Sequence, residues 1–402
     1  MTLTRRPPYF SWTTVVPLLA LLALALTWGR YLAIVFAVVI AVVLAGAVLS
    51  AVHHAEVVAH RVGEPFGSLV LAVAVTVIEV ALIVTLMVSG GPETAQLARD
   101  TVFAAVMITT NGVVGISLLV AALRYGTTRF NAEGSGAALA TVATLAALSL
   151  VLPAFTLGAP GPAFSTDQLV FAAIMSLLLY GMFVLTQTVR HRDFFLPVQH
   201  DNDPVAGRGD APTSESAEVD PAGEVDPVGD VEESADAEES VDAGAHAAPP
   251  TARAALTSLG LLLVALVAVV GLAKVESPSI EAAVKAIGFP QSFVGVVIAL
   301  LVLLPETIAA VRAAGRQRTQ ISLNLAYGSA MASIGLTIPA IAVASIWLKG
   351  PLHLGLGATQ LVFLALTVVV SVLTVVPGRA TRLQGGVHLV LLVAFLFLAV
   401  SP

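Results

Sequence analysis

The hydrophobic positions of the chain fall into eleven long runs that are separated by polar stretches. Each run holds about 18 to 26 residues, chiefly Leu, Ala, Val and Ile, without the strict alternation of a barrel strand. Roughly 20 apolar residues in a helix cross a hydrocarbon core of about 30 Å. The pattern predicts an all-α polytopic membrane protein with spans at 11–29, 31–52, 66–89, 101–123, 136–157, 168–189, 254–273, 291–311, 322–347, 357–377 and 383–400.

The polar positions are concentrated in one long stretch between the sixth and seventh runs. Residues 201–244 contain fifteen Asp or Glu and one Arg, and no aromatic residue. Such a stretch cannot bury enough apolar surface to fold, so we predict that it is disordered. It can act as a solvated tether, or as a weak cation-collecting or regulatory tail. The predicted domains are 1–30 (tail and helix 1), 31–190 (helices 2–6), 191–253 (the acidic loop) and 254–402 (helices 7–11).

Each of the two large halves contains five predicted crossings, and an odd number has a consequence for topology. The second half must enter the membrane from the side opposite to the first, as in transporters built from inverted repeats. Glycine-containing turns at 63–67 and 288–290 precede the second helix of each half, and a helix rich in small and polar residues follows it. We therefore predict that helices 2–6 and 7–11 are inverted repeats.

Composition and charge add an orientation to this pattern. The chain is 57% hydrophobic and 11% charged, and it has no cysteine, which excludes disulfides and zinc–thiolate sites. Eleven crossings place fourteen Lys and Arg residues on one face and five on the other. The positive-inside rule then predicts a cytoplasmic N-terminus and acidic loop and an external C-terminus, in a bacterial inner (plasma) membrane. The net charge of −7 comes largely from the acidic loop and does not indicate nucleic-acid binding.

The first run has two interpretations. It follows Arg5 and Arg6 and has small residues near its end, as a secretory signal peptide does. Its apolar part is long for that role, so we favour an uncleaved first helix.

Two of the runs contain a single carboxylate near the middle. Glu79 lies in LVLAVAVTVIEVALIVTLM (69–87) and Glu306 in FVGVVIALLVLLPETIAAV (293–311). An ionised side chain at the centre of a membrane helix costs roughly 2.5–3.5 kcal/mol on insertion scales. No Lys or Arg lies deep in any run, so each glutamate must be protonated, hydrated or bound to a cation. The remaining acidic residues comprise fifteen in the loop and nine in short loops or at helix ends.

Neighbouring side chains supply further oxygens for a cation site. Pro305 lacks a backbone donor and so frees a carbonyl beside Glu306, while Thr307 and Ser333 offer hydroxyls. The small and polar residues of these helices also serve close helix packing, and that is the alternative explanation for the hydroxyls and the amide. The candidate ligands are Glu79, Glu306, Thr76, Asn111 and Ser329.

The segment HHAEVVAH (53–60) is a second candidate for chemistry. Its members His53, His54, Glu56 and His60 lie at a predicted membrane end, where histidines could sense cytoplasmic pH or simply be solvated. The zincin motif requires His directly before Glu and a second His three residues later, and alanines occupy both positions here. We therefore predict that the chain is not an enzyme. A passive cation channel and a scaffold are two further functional classes, and unpaired central carboxylates argue against a scaffold.

These segments together resemble the cation/calcium exchanger superfamily, and most closely its bacterial calcium/proton antiporter branch (ChaA type). The resemblance covers nearly the whole chain and implies Glu79 and Glu306 as the two central acidic ligands. It departs from the family in lacking the asparagine that many members carry beside each glutamate, and in placing Ala332 where glutamine is often found. The segments that carry it are HHAEVVAHRVGEPFGSLVLAVAVTVIEVALIVTLM (53–87), LLPETIAAV (303–311) and NLAYGSAMASIGLTIPAIA (324–342).

The charges of the two glutamates suggest a transport cycle. One Ca²⁺ or two protons would neutralise the pair, whereas an empty site keeps two charges in a medium of low dielectric, where the charged form is disfavoured. We predict a secondary antiporter that exports Ca²⁺ in exchange for H⁺ by alternating access and needs no cofactor. Na⁺/H⁺ or K⁺/H⁺ exchange on the same scaffold is the alternative, and the expected partners are the lipid bilayer and the transported ions.

Overall fold

The computed structural model describes residues 11–30, 34–63, 66–90, 95–197, 250–347 and 352–401, which belong to one compact unit. The predicted acidic loop at 201–244 lies outside the described residues. The long helices are α1 (Trp12–Thr27), α2 (Ile34–Val62), α3 (Phe66–Gly90), α4 (Leu97–Met107), α5 (Val114–Tyr125), α6 (Ala132–Ala146), α7 (Thr166–Leu185), α8 (Ala252–Ala286), α9 (Phe293–Ala314), α10 (Thr319–Ala344), α11 (Ala358–Val375) and α12 (Arg382–Val400).

The all-α membrane fold predicted from the hydrophobic pattern is confirmed. Every predicted run coincides with helical structure, and α4 and α5 form one run through a π turn at Ile108–Val113. In the described part of the chain, nine helices are long and apolar enough to cross a membrane. Two shorter apolar helices, α1 and the Val73–Val88 part of α3, complete the predicted set.

Several helices extend beyond the predicted membrane spans. The second run ends at residue 52 in the hydrophobic pattern, but α2 continues to Val62 and so includes the whole histidine segment. The seventh run ends at 273, but α8 continues to Ala286 through Pro278. Hydropathy marks where an apolar surface ends, whereas the backbone hydrogen bonds of a helix continue through polar residues.

A short β-ribbon is a feature of the described chain that the hydrophobic pattern does not predict. Strands β1 (Thr128–Arg129) and β2 (Arg379–Ala380) pair antiparallel, with Thr128 opposite Ala380. Two residues per strand are too few to show an alternating pattern. The ribbon joins the turn after α5 to the turn after α11, at the face that bears the arginine-rich loops.

The buried apolar residues form two clusters. One contains side chains of α1, α2 and α8 with Leu97 of α4, and the other contains side chains of α4 to α7 and α10 to α12. Helices α3 and α9 contribute to both: Ile78 and Val302 belong to the first cluster, and Ile83 and Leu303 to the second. The two helices that carry the central glutamates therefore lie at the boundary between two apolar packing units.

Helix α1 is fixed to α2 through a proline. Pro17 lies inside α1 and has no N–H, so the Thr13 carbonyl receives no donor from its own helix. Ser50 Oγ donates to this carbonyl at 2.7 Å, and His54 Nε2 lies 2.9 Å from it. Ser50 and His54 are four residues apart and share one face of α2, so both reach the same acceptor.

Candidate functional site

Glu79 and Glu306 line the same cavity, which has a volume of about 230 Å³ and walls from α3, α7, α9 and α10. The cavity extends to Gln187, in the π turn that follows α7, and to Ile321 and Asn324, in the first turns of α10. These residues border the arginine-rich loops, so the cavity reaches toward that face of the helical bundle. Apolar side chains of α7, α9 and α10 supply most of the remaining wall.

The two carboxylates have different surroundings. Glu79 is 4% exposed and accepts a hydrogen bond of 2.6 Å at Oε1 from Ser333 Oγ of α10. Thr337, one turn further along α10, lies close to the same carboxylate, although its buried hydroxyl does not reach hydrogen-bond geometry. Glu306 Oε2 is buried without a partner. A buried polar atom without a partner is costly, so binding of a cation or a proton at Oε2 of Glu306 would remove that cost.

Two of the three neutral ligand candidates lie in the cavity with the glutamates. Thr76 is 6% exposed and lies on α3, and Ser329 lies on α10 next to Gly328. A Cβ atom on Gly328 would meet no atom within 4 Å, so this glycine widens the cavity and does not serve close helix packing. The hydroxyl of Thr307 is used within α9, where it donates to the Leu303 carbonyl at 2.7 Å.

Asn111 does not line this cavity, contrary to the position expected for a cation ligand. Its amide nitrogen donates to Thr367 Oγ1 of α11 at 2.9 Å, and its oxygen lies 3.2 Å from Nδ1 of His388 on α12. The residue lies in the π turn between α4 and α5. An extra residue in that turn changes the direction of the side chains relative to a regular helix, and regular helical spacing could not anticipate it.

The histidine segment divides between two surroundings. His54 is 4% exposed and is bonded to α1 through the Thr13 carbonyl, while His53 is exposed and packs beside Trp12 with ring centroids 6.5 Å apart. Glu56 is partly buried and lies near enough to Glu306 and to His60 for their charges to interact. In the sequence Glu56 groups with the histidines; in the structure it also lies within electrostatic range of Glu306.

Two acidic residues outside the central pair are also buried, which the hydrophobic pattern does not indicate. Asp100 of α4 is 5% exposed and forms an ion pair of 2.7 Å with Arg99. Glu276 of α8 is 2% exposed, and its Oε1 has no hydrogen-bond partner. Hydropathy falls at both positions, although their helices remain packed there. Within the described ranges, neither central glutamate takes part in an ion pair.

The cavity combines carboxylates with neutral oxygens. Among the described residues, no group of three or more His, Cys, Asp or Glu is arranged to hold a metal ion. Two carboxylates with hydroxyl groups, in a space with room for water, suit a cation that is bound and released rather than a permanently bound metal. Carboxylates inside a helical membrane bundle mark ion and proton pathways. The fold and the site therefore define a membrane cation transporter.

Comparison with known proteins gives the family. The profile of the sodium/calcium exchanger protein family matches residues 30–189 and 257–401. The chain belongs to this family, within the cation/calcium exchanger superfamily, and is a cation antiporter. The two matched ranges lie one on each side of the acidic segment.

Individual relatives agree with the family. A protein of Sinorhizobium fredii (strain NBRC 101917 / NGR234) that is named an ionic transporter, y4hA, is 42% identical over 98% of this chain and 97% of its own length. The sodium-potassium/proton antiporter ChaA of Escherichia coli (strain K12) is 32% identical over 86% of this chain and 83% of its own. The crystal structure of the H⁺/Ca²⁺ exchanger CAX shares the fold, with a TM-score of 0.65 at 16% identity over 96% of this chain and 86% of its own.

Proposed function

We propose that the chain exchanges Ca²⁺ for protons across the membrane, with Glu79 and Glu306 as the groups that bind both cargoes. The observation that carries the proposal is the shared cavity, whose described walls bring carboxylates from α3 and α9 together without a Lys or Arg. One Ca²⁺ carries the same charge as two protons, so either cargo would neutralise the two carboxylates. Glu79, Glu306, Thr76 and Ser329 are the proposed ligands, and water and backbone carbonyls complete the six to eight oxygens that Ca²⁺ takes.

The cation enters from the face with the arginine-rich loops, which we propose is cytoplasmic. The cavity reaches that face between α7 and α10, past Gln187 and Asn324. The partnerless Oε2 of Glu306 gives the first ligand, and Glu79 follows as a ligand that keeps its hydrogen bond from Ser333. The charge of Glu56 adds to the attraction at the inner end of this route.

Alternating access follows from the two apolar clusters. Helices α1, α2 and α8 share one apolar cluster with one side of α3 and α9, and α4, α5 and α10 pack against the other side. Apolar interfaces can slide at small cost, so movement of α3 and α9 with the first unit, relative to α7 and α10, would close the present route and open one on the opposite face. A neutral, loaded site permits this movement, whereas two uncompensated charges oppose it.

A panel of cations in everted membrane vesicles tests the proposal. A pH gradient is formed first, and its dissipation is followed as Ca²⁺, Na⁺ or K⁺ is added. The wild-type protein should dissipate the gradient with Ca²⁺, and Glu306→Gln should not. Glu133→Gln, which changes an exposed carboxylate in the first turn of α6, is the matched control and should behave as the wild type. Normal exchange by Glu306→Gln would contradict the proposal.

Exchange of Na⁺ or K⁺ for protons is the second candidate. It is favoured by the likeness to ChaA, whose name describes sodium-potassium/proton antiport. A monovalent ion neutralises one of the two carboxylates, so this mode requires that Glu79 or Glu306 keeps a proton during the cation-loaded step. The same panel separates the candidates, because a gradient that responds to Na⁺ and K⁺ but not to Ca²⁺ assigns the chain to the second one.

A further inference from the structure

A chain of buried polar side chains lies outside the glutamate cavity. His388 of α12 is 0% exposed, with Nδ1 3.2 Å from Asn111 Oδ1 and Nε2 3.1 Å from Thr374 Oγ1. The Asn111 amide nitrogen donates to Thr367 Oγ1 at 2.9 Å. These bonds connect the π turn with α11 and α12. Histidine inside a membrane helix is rare and costly, so a buried one with specific partners calls for a functional explanation.

The hydrogen-bond directions follow from the chemistry of the partners. Because the Asn111 amide nitrogen donates to Thr367, the amide oxygen is left as an acceptor for His388. A ring nitrogen can donate only when it carries a proton, so Nδ1 is protonated. The Thr374 hydroxyl can donate or accept, so it pairs with Nε2 in either state of the ring, and both ring nitrogens are satisfied. Neither of these partners is charged.

Two glycines allow α5 and α12 to approach closely enough for His388 to reach Asn111. A Cβ atom on Gly115 of α5 would lie 3.1 Å from the Gly385 carbonyl oxygen and 3.0 Å from His388 Cβ. A Cβ atom on Gly385 of α12 would lie 2.7 Å from the Leu119 amide nitrogen. The backbones of α5 and α12 therefore touch, as in membrane helix pairs with small residues at the interface. His388 follows Gly385 by three residues on the same face and meets the π turn.

The π turn lies between this polar chain and the cation site. The hydroxyl of Thr109 donates to the Ala105 carbonyl at 2.7 Å, which helps to satisfy the backbone where the turn widens. Helix α9 packs against α4, the π turn and α5. Glu306 is on α9, so the π turn is part of the surface that supports this wall of the cavity. Wide turns of this kind often occur at functional sites.

We propose that His388 is a positioning residue for cation exchange. Through Asn111 it holds the π turn of Ile108–Val113 in the shape against which α9 places Glu306. The inference rests on the proposed function, but it concerns a residue that touches neither the cation nor the two glutamates. It predicts that the bond between His388 and Asn111 affects cation affinity more than it affects the amount of folded protein.

The test has two measurements. The first is the cation concentration that gives half-maximal exchange in proteoliposomes, determined separately for Ca²⁺ and Na⁺. The second is the midpoint of thermal unfolding of the purified protein. His388→Leu removes both hydrogen bonds, but only the bond to Asn111 reaches the π turn, so the half-saturating concentration should rise about fivefold, as for loss of one buried hydrogen bond. His388→Gln can both donate and accept and should recover most of the affinity. Thr141→Val removes a hydroxyl of α6 that bonds the Ala137 carbonyl of its own helix, and it should leave the affinity unchanged.

A second variant covers the outcome in which His388→Leu does not fold. Thr367→Val keeps the side-chain shape but removes the hydroxyl to which the Asn111 amide nitrogen donates, and it should also raise the half-saturating concentration. The inference is overturned if Thr367→Val and His388→Leu both bind the cation as the wild type does, or if His388→Leu loses thermal stability without losing affinity. If the wild-type protein shows no exchange with either cation, the proposed function fails first, and the two failures are therefore distinguishable.

Discussion

Glu79 and Glu306 differ in their contacts, and this difference predicts how each behaves in transport. Glu79 is held by Ser333, whereas one oxygen of Glu306 has no partner. A hydroxyl that donates to a carboxylate stabilises its charged form. Ser333 therefore helps Glu79 to release its proton in favour of a cation.

Removal of the Ser333 hydroxyl should make protons compete more strongly with the cation at Glu79. In Ser333→Ala the half-saturating cation concentration should rise about tenfold, as for loss of a hydrogen bond to a charged group. The rise should be larger at low pH, where protons are abundant, and the pH dependence of transport should shift toward higher pH. Initial rates of cation uptake in proteoliposomes, measured over a range of pH, check this. Ser333→Thr retains a hydroxyl and is the control; equal pH profiles for all three proteins would contradict the prediction.

At the residue scale, the cost of burial decides which parts of the site a sequence can predict. Glu79 and Glu306 could be chosen as candidates because a carboxylate without a counter-charge is costly in any membrane helix, and the structure places both in one cavity. Asn111 could not be placed, because the π turn that redirects it leaves no mark in hydrophobic periodicity. Glu276 was missed because the polar part of α8 remains helical and buried.

At the scale of elements, the proline in α1 creates the contact that holds this helix on α2. Ser50 and His54 donate to the carbonyl that Pro17 leaves free, and each bond should stabilise the folded protein by about 1 kcal/mol. We expect Ser50→Ala to lower the midpoint of thermal unfolding in detergent. Thr144→Ala, which removes an exposed hydroxyl bonded within α6, should have little effect.

A double-mutant cycle with Pro17→Ala isolates this mechanism. Alanine restores the N–H that pairs with the Thr13 carbonyl, so Ser50 should then contribute less. The cost of Ser50→Ala should be smaller in the Pro17→Ala protein than in the wild type, as is expected for residues that share one acceptor. Equal costs in both backgrounds would show that the freed carbonyl does not explain the contact.

The sequence predicts where the helices lie along the chain, but it does not predict where they end. Apolar runs located the helices because lipid exposure imposes long hydrophobic stretches. The ends of α2 and α8 and the two-residue strands depend on packing between distant segments, such as Thr128 against Ala380, which no local pattern reveals.

At the scale of the whole molecule, the central cavity reaches toward the arginine-rich face. The chain contains no cysteine, so single cysteines can report access without a background. Gln187→Cys, at the cavity wall, should react with a membrane-impermeant maleimide applied to the cytoplasmic side, and saturating cation should slow the reaction. Leu157→Cys, at a fully exposed position beyond the far end of α6, should react from the opposite side. Labelling of both from one side would contradict the proposed topology.

The arrangement of the helices in the membrane can be predicted from the number of crossings and the number of arginines in each loop. Five crossings in each half and a biased arginine distribution predicted inverted repeats and an orientation, and both stay predictions; the labelling experiment addresses the orientation. The boundary between the apolar clusters could not be predicted, since it depends on which faces of α3 and α9 meet which neighbours.

The central claim is that one pair of glutamates binds the cation and the proton competitively. The direct measurement is the number of protons released when Ca²⁺ or Na⁺ is added to the purified protein in weakly buffered detergent solution with a pH indicator. The wild type should release protons on cation binding, Glu79→Gln and Glu306→Gln should each release fewer, and Glu133→Gln should match the wild type. Cation binding without proton release, or release that is unchanged in both glutamine variants at the central pair, would contradict the account.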